Sequence, residues 1–267
     1  MEQMHVLSLG AGVQSSTMAL MASRGLLEPM PEMAIFADTQ REPLSVYAWL
    51  DWLDNNLKFP IVRVTKGDLG LEACRVRISE KSGHNYLRHN IPVYVKINDS
   101  KGMTNRACTI DFKIDPIYKE LNKVRNDRDV IMWIGISLDE AHRMKPSRKV
   151  WAQNIWPLVD KRITRFDCVK WLHNNKYPEP PKSACVFCPY HNDAFWYKMK
   201  TEDKVSFDAA VQWEKEYQEA YSKIDRLDGV PFLHKSCIPL EDVYFNTDDE
   251  NGQINMFGNE CEGMCGI

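Results

Sequence analysis

Three stretches of this 267-residue chain have residue types and spacings suited to chemistry. The first is residues 8–17, Ser-Leu-Gly-Ala-Gly-Val-Gln-Ser-Ser-Thr, lying between a short β-rich run and a helical pattern. Glycines and small hydroxylated residues at such a junction leave backbone N–H groups facing an anion, and the helix dipole adds to the attraction. Phosphate is the natural guest; a tight turn capped by Ser15 is the structural alternative. The stretch matches neither the Walker loop nor the dinucleotide fingerprint G-x-G-x-x-G.

The second stretch is Cys185-Val-Phe-Cys188, a C-x-x-C that follows three prolines within residues 177–181. That spacing lets two thiolates reach one metal, and prolines deliver the chain as a loop rather than a helix. A redox pair is the other chemistry open to it. The seven histidines show no paired spacing that would add imidazole ligands. The third is a basic cluster, Arg143, Lys145, Arg148 and Lys149, which either meets phosphate or forms a solvated loop.

Elements must hold these residues in place. Apolar β-rich runs at 5–9, 33–37, 61–64 and 130–136 alternate with helical patterns at 15–24, 44–56 and 112–124. The alternation predicts βαβ units in a mostly parallel sheet with helices on both faces, so the residues just after each strand are where a ligand sits. Beyond residue 165 the texture changes to a Cys-rich, partly helical region. Residues 1–165 are therefore expected to form a nucleotide-binding domain, and residues 166–267 a metal-binding and helical one. Trp213, Tyr217 and Tyr221 fall on one face of a helix predicted over 194–226, the pattern of a core-packing stripe.

Composition narrows the class. Hydrophobic residues are 44% and charged residues 27%, typical of a folded globular chain. With 34 Lys and Arg against 37 Asp and Glu, the net charge of −3 argues against broad nucleic-acid coating. No apolar run spans a bilayer and the first residues lack an export signal, so a cytoplasmic protein without membrane contact is expected. Eight cysteines in such a compartment point to metal or redox chemistry rather than disulfides.

The motifs also occur in a known order. Residues 8–16 resemble the PP-loop of the ATP-pyrophosphatase and phosphoadenosine-phosphosulfate (PAPS) reductase superfamily, and Phe-Ala-Asp-Thr-Gln-Arg-Glu-Pro at 36–43 resembles its second strand end. Residues 107–116 are similar to the cysteine-lysine-proline element of sulfonucleotide reductases. Residues 135–143 resemble their G-x-x-x-x-E-x-x-R, and Trp156-Pro157-Leu158 with Asp167 and Trp171 their P-L…D-V-W stretch. The likeness covers residues 5–190.

The resemblance implies a Rossmann-like adenine nucleotide alpha-hydrolase fold. Carried over by position, Ser8, Gly10, Gly12, Ser15 and Ser16 would line the phosphate site, with Ser16 and Arg143 in the catalytic set. Asp38 and Thr39 would lie by the ribose or base, although Asp38 equally suits a turn. The acidic residue usual in this loop is absent, and Ser15 stands nearby. In iron-sulfur reductases, paired cysteines at the position of Cys108 join a C-x-x-C around a 4Fe-4S cluster. Here the second of the pair is Thr109; Cys168 is the nearest substitute in sequence, giving Cys108, Cys168, Cys185 and Cys188, and the tail pair Cys261 and Cys265 is the other source of the missing ligand. A zinc site from Cys185, Cys188, Cys261 and Cys265 is the rival. Cys261 or Cys265 also resembles the mobile nucleophile at a reductase C-terminus.

Three readings follow. One is an enzyme cleaving Mg-bound ATP at the α-phosphate, supporting sulfur transfer or nucleic-acid modification, with a cysteine desulfurase or thioredoxin-like donor and a nucleic-acid acceptor as partners. The second is a thiol-dependent reductase of PAPS or adenosine phosphosulfate. The third is a non-catalytic nucleotide- and metal-binding module.

Overall fold

Apolar residues in the central strands alternate sides, and both sides are covered. The computed structural model describes residues 3–88, 91–224 and 228–245. Its main sheet has β1 (Met4–Ser8), β2 (Met33–Asp38), β3 (Ile61–Thr65), β4 (Val130–Ile134) and β5 (Ala152–Ile155), in the order β3-β2-β1-β4-β5. Every pair is parallel, with Val6 opposite Met33 and Met132, and Ser8 opposite Ile35 and Ile134.

Leu7, Phe36, Ile131 and Trp133 face one way, against α1 (Val13–Ser23), α2 (Leu44–Asp54) and α4 (Arg165–Asn174). Met4, Val6, Ile35, Met132 and Ile134 face the other, against Ile117, Tyr118 and Leu121 of α3 (Asp115–Val124). Period-2 alternation with apolar residues in both registers is what a sheet buried on both faces requires. This is the expected α/β architecture.

The strand order reverses at β1, because β2 and β3 lie on one side of it and β4 and β5 on the other. The crevice between the carboxyl ends of β1 and β4 is thus the topological switch point, the place where such sheets bind ligands. Residues 9–12 leave β1 there, and residues 135–143 leave β4.

A separate apolar cluster joins the cysteine loop to α5 (Asp193–Glu202) and α6 (Lys204–Ser222), with Phe112, Phe187, Trp196, Trp213, Tyr217 and Leu233 at its centre. A three-stranded antiparallel sheet, Tyr94–Ile97, Ser100–Met103 and Val230–Phe232, borders it. The aromatic stripe packs inward as expected, with Trp213 stacked on Phe187 at 4.4 Å and on Tyr217 at 4.9 Å. The single helix expected over 194–226 is instead two, broken at Asp203, whose side chain accepts the Ser206 N–H to start α6. The helix expected from Phe112 begins with a wider turn, Ile110–Ile114, before α3. Among the described residues, no helix is long and apolar enough to cross a membrane.

Candidate functional site

The β1–α1 loop builds its own shape. Leu9 N–H continues the pairing to Ile35 O at 2.9 Å. Ala11 then turns the chain with φ +62°, and Gly12 opens α1 without any side-chain cap. Lacking that cap, the first turn keeps its amides off any serine, aspartate or asparagine oxygen. The expected cap, Ser15, does other work: its hydroxyl accepts from Gly10 N–H at 3.2 Å and donates to Gly12 O at 3.4 Å. Ser16 Oγ accepts the Trp49 indole N–H at 2.9 Å. Ser8, Ser15 and Ser16 are all buried.

Gly135, just past β4, explains how close the two strand ends come. A Cβ on it would lie 2.9 Å from Ser15 Cα, so any side chain would collide with the loop's backbone. The chain then runs through a 3-10 turn, Leu138–Arg143, that puts Glu140 and Arg143 on one side. Arg143 Nη1 donates to Glu140 Oε1 at 2.7 Å. The other carboxylate oxygen accepts Gln14 Nε2 at 3.1 Å, and Gln14 Oε1 accepts Arg165 Nη1 at 2.7 Å. Two guanidiniums therefore sit at the rim of α1's first turn, linked through a buried amide and a buried carboxylate.

At the end of β2, Asp38 Oδ1 accepts from Gln40 N–H at 2.7 Å and Tyr47 O–H at 2.8 Å. It therefore shapes the turn, in which Gln40 has φ +61°. Thr39 Oγ1 lies 3.2 Å from Cys185 Sγ and 3.4 Å from Glu42 Oε1. The Glu42 side chain is wholly buried and pairs with buried Lys113 at 3.4 Å, and its Oε2 has no hydrogen-bond partner among the described residues. Burial, reinforced by Glu42 and opposed by Lys113, pushes the Cys185 thiol well above its ordinary range. Val186 N–H reaches Arg41 O at 2.8 Å, tying the cysteine loop to the segment that follows Thr39.

Cys108, Cys185 and Cys188 line one small cavity, about 30 Å³, together with Thr39, Arg106, Lys113 and Tyr190. Cys168 does not join them. It is buried on α4 in the core shared with α1 and Leu172, because its helix turns that face toward the sheet. The four-cysteine set is thus corrected to three among the described residues. Cys261 and Cys265 lie outside the described residues. Among the described residues, no three or more His, Cys, Asp or Glu side chains are placed to hold a metal ion. Three thiols share one wall of the cavity with Lys113, the donor type a thiophilic centre uses, but they are not gathered as a ligand set. Cys74 is unrelated, its thiol pushed up to about 12 mainly by burial.

Sequence reasoning gave no role to Gln14 and Glu42, although each stands inside a quoted stretch, and it missed Arg165, which matches no motif and becomes a neighbour of the site only through folding. Glu140 and Lys113 had a signal, since each stands inside a stretch already picked out.

No protein-family model matches the chain, and no curated protein does. Several solved structures are distantly similar, two of which can be named. One is a phosphoadenylyl-sulfate (PAPS) reductase from Candida auris in complex with phosphate. It is 13% identical, with 67% of this chain and 76% of that chain covered and a TM-score of 0.41. The other is the U34-tRNA thiolase NcsA from Methanococcus maripaludis with its 4Fe-4S cluster. It is 12% identical, with 86% and 76% covered and a TM-score of 0.36.

Proposed function

We propose that this chain is a PP-loop enzyme of the PAPS-reductase-like family. In this reading it holds ATP by its phosphates at residues 9–16 and acts at the α-phosphate, releasing pyrophosphate. The adenylylated product would serve sulfur transfer or nucleic-acid modification, with a cysteine desulfurase and a nucleic-acid acceptor as the partners to test. The observation that carries the reading is the uncapped start of α1 at the switch point, pressed against Gly135 and flanked by Arg143. Amides fixed at a helix start need no reorganisation as charge builds on a leaving group, and a guanidinium fork suits phosphate oxygens.

Cys108, Cys185 and Cys188 line one wall but are not placed to hold a metal by themselves; in this reading they would contribute thiolates to an iron-sulfur cluster with Cys261 or Cys265 as a further ligand, and the cluster when bound would supply a place to carry sulfur or an electron. This chain's own residues do the rest. The loop amides and Arg143 bind the phosphates, Glu140 orients Arg143, and Thr39 stands between the β2 end and Cys185. The test is pyrophosphate release from Mg-ATP by anaerobically purified protein. Arg143→Met is expected to lower it at least about tenfold; equal release by wild type and variant would sink the proposal.

A further inference from the structure

Of the basic cluster at 143–149, the proposed phosphate site takes up Arg143 alone, and the fold sets the other cations along one edge of the sheet. Residues 143–170 hold eight Lys and Arg against two Asp and Glu, in a chain that has 34 against 37. That surplus falls on the outermost strand, β5, and the segments on either side of it. Lys145, Arg148 and Lys149 precede β5, Lys161 and Arg162 follow it, and all five are exposed.

These cations are not spent inside the protein. Among the described residues, no carboxylate pairs with Lys145, Arg148, Lys161 or Arg162. The Lys149 ammonium lies over the Tyr118 ring, 5.7 Å from its centre. Three nearby carboxylates are committed elsewhere: Glu140 to Arg143, Asp139 to the Arg165 backbone N–H, and Asp167 to the Thr164 cap of α4. The segments that carry the cations are also held in place. Tyr118 and Ser147 share a hydrogen bond at 2.8 Å, Asn154 Nδ2 donates to Lys145 O at 2.9 Å, and Ala152 N–H donates to Lys149 O at 3.1 Å. Beyond β5, Leu138 N–H donates to Ile163 O at 2.9 Å. A ligand therefore meets charges whose backbone is already ordered, which lowers the entropy cost of binding.

We infer that this edge docks a single-stranded nucleic acid, its phosphates along Lys145, Arg148, Lys149, Lys161 and Arg162 and one base against Phe166. The inference rests on the proposed function for one point, that the docked strand is the acceptor. Four residues of β5, at about 3.3 Å each, separate the two groups of cations, so the ligand must carry anions in a row rather than one anion. Phe166, in the first turn of α4, is 61% exposed, and Lys170 stands one helical turn further on. An exposed ring beside cations suits an unstacked base with its phosphate. An acidic peptide would satisfy the charges and leave the ring bare.

The test is anisotropy of a fluorescent oligothymidylate titrated with the whole chain, without ATP, over a range of salt. Replacing Arg148 and Lys149 together by Gln, or Lys161 and Arg162 together by Gln, is expected to weaken binding at least about tenfold at low salt. Each pair should also flatten the logarithmic salt dependence by about 1.4, since a lost phosphate contact on a single strand removes about 0.7. Phe166→Ala should weaken binding at least about fivefold and leave the salt slope unchanged. Replacing Lys119 and Lys123 by Gln, beside β3 at the opposite edge, makes the same charge change and should cost less than about twofold. Unchanged melting temperatures show that the variants fold. Wild-type affinity in both edge pairs, an equal loss in the Lys119 and Lys123 variant, tighter binding of a duplex, or equal competition by polyglutamate overturns the inference. Pyrophosphate release from Mg-ATP, measured on the same proteins, keeps the two readings apart. Release without strand binding overturns this inference alone, and strand binding without release overturns the proposed function alone.

Discussion

The Ser16 hydroxyl accepts a hydrogen bond from Trp49, so Ser16→Ala removes more than a loop oxygen. It strands a buried indole N–H, and we expect a stability loss of about 1–3 kcal/mol in denaturant unfolding, whatever happens to activity. Unchanged stability would mean that Trp49 finds another partner. Gly135→Ala is the cleaner probe of the loop. Its Cβ would press on the Ser15 backbone, and moving main chain costs about 1–3 kcal/mol of overpacking strain. Pyrophosphate release should fall with it, even though position 135 offers no functional group. If release is retained, the loop's exact shape is not what the chemistry uses. Both expectations depend on residues whose motif was readable in the chain, but whose partners were not. A serine beside a glycine loop suggests phosphate; that its hydroxyl instead meets an indole 33 positions away depends on how α2 packs. Arg165 is the extreme case, since it belongs to no recognisable pattern and its partner Gln14 is 151 positions distant.

At the level of elements, strands and helices in the first half were legible because period-2 and helical patterns are strong where both sheet faces are buried. The short edge strand β5 and the split between α5 and α6 were not. A four-residue strand carries too few alternations, and Asp203 acts as a cap only when seen with Ser206. One local cluster makes a pH prediction. His234 Nδ1 accepts the Ser236 backbone N–H at 3.2 Å, so its proton sits on Nε2, 3.3 Å from Asp193 Oδ1. Burial lowers its pKa below 6.5, with Asp193 opposing. Below pH 6.5 the unfolded chain takes up a proton that the native chain refuses, so stability is complete above that value and declines as pH falls toward the lowered one. His5 and His191, also lowered by burial, add to the same slope. Melting temperatures between pH 7.5 and 5.5 should fall, and less steeply in His234→Gln; parallel curves would show that His234 titrates normally.

For the molecule as a whole, the cysteine region joins the sheet end through Val186 to Arg41 and Cys185 to Thr39, and metal content is the property that reports on its thiols. Cys168→Ala should keep whatever iron or zinc the wild type carries when purified anaerobically, because that thiol lies in the α1–α4 core. Cys108→Ala and Cys185→Ala should lose it, and loss in Cys168→Ala instead would return Cys168 to the ligand set. The sequence could name the cysteines but not sort them, since which face of α4 turns inward is decided by the fit against α1. The bond from Val186 to Arg41, with Cys185 beside Thr39, has a practical outcome. A thiol so buried and so reluctant to ionise resists air, so what would disturb the backbone next to the β2 end is a change of side chain at 185. A replacement there that dulled the proposed nucleotide capture would then mimic damage to the phosphate loop while leaving every phosphate contact in place.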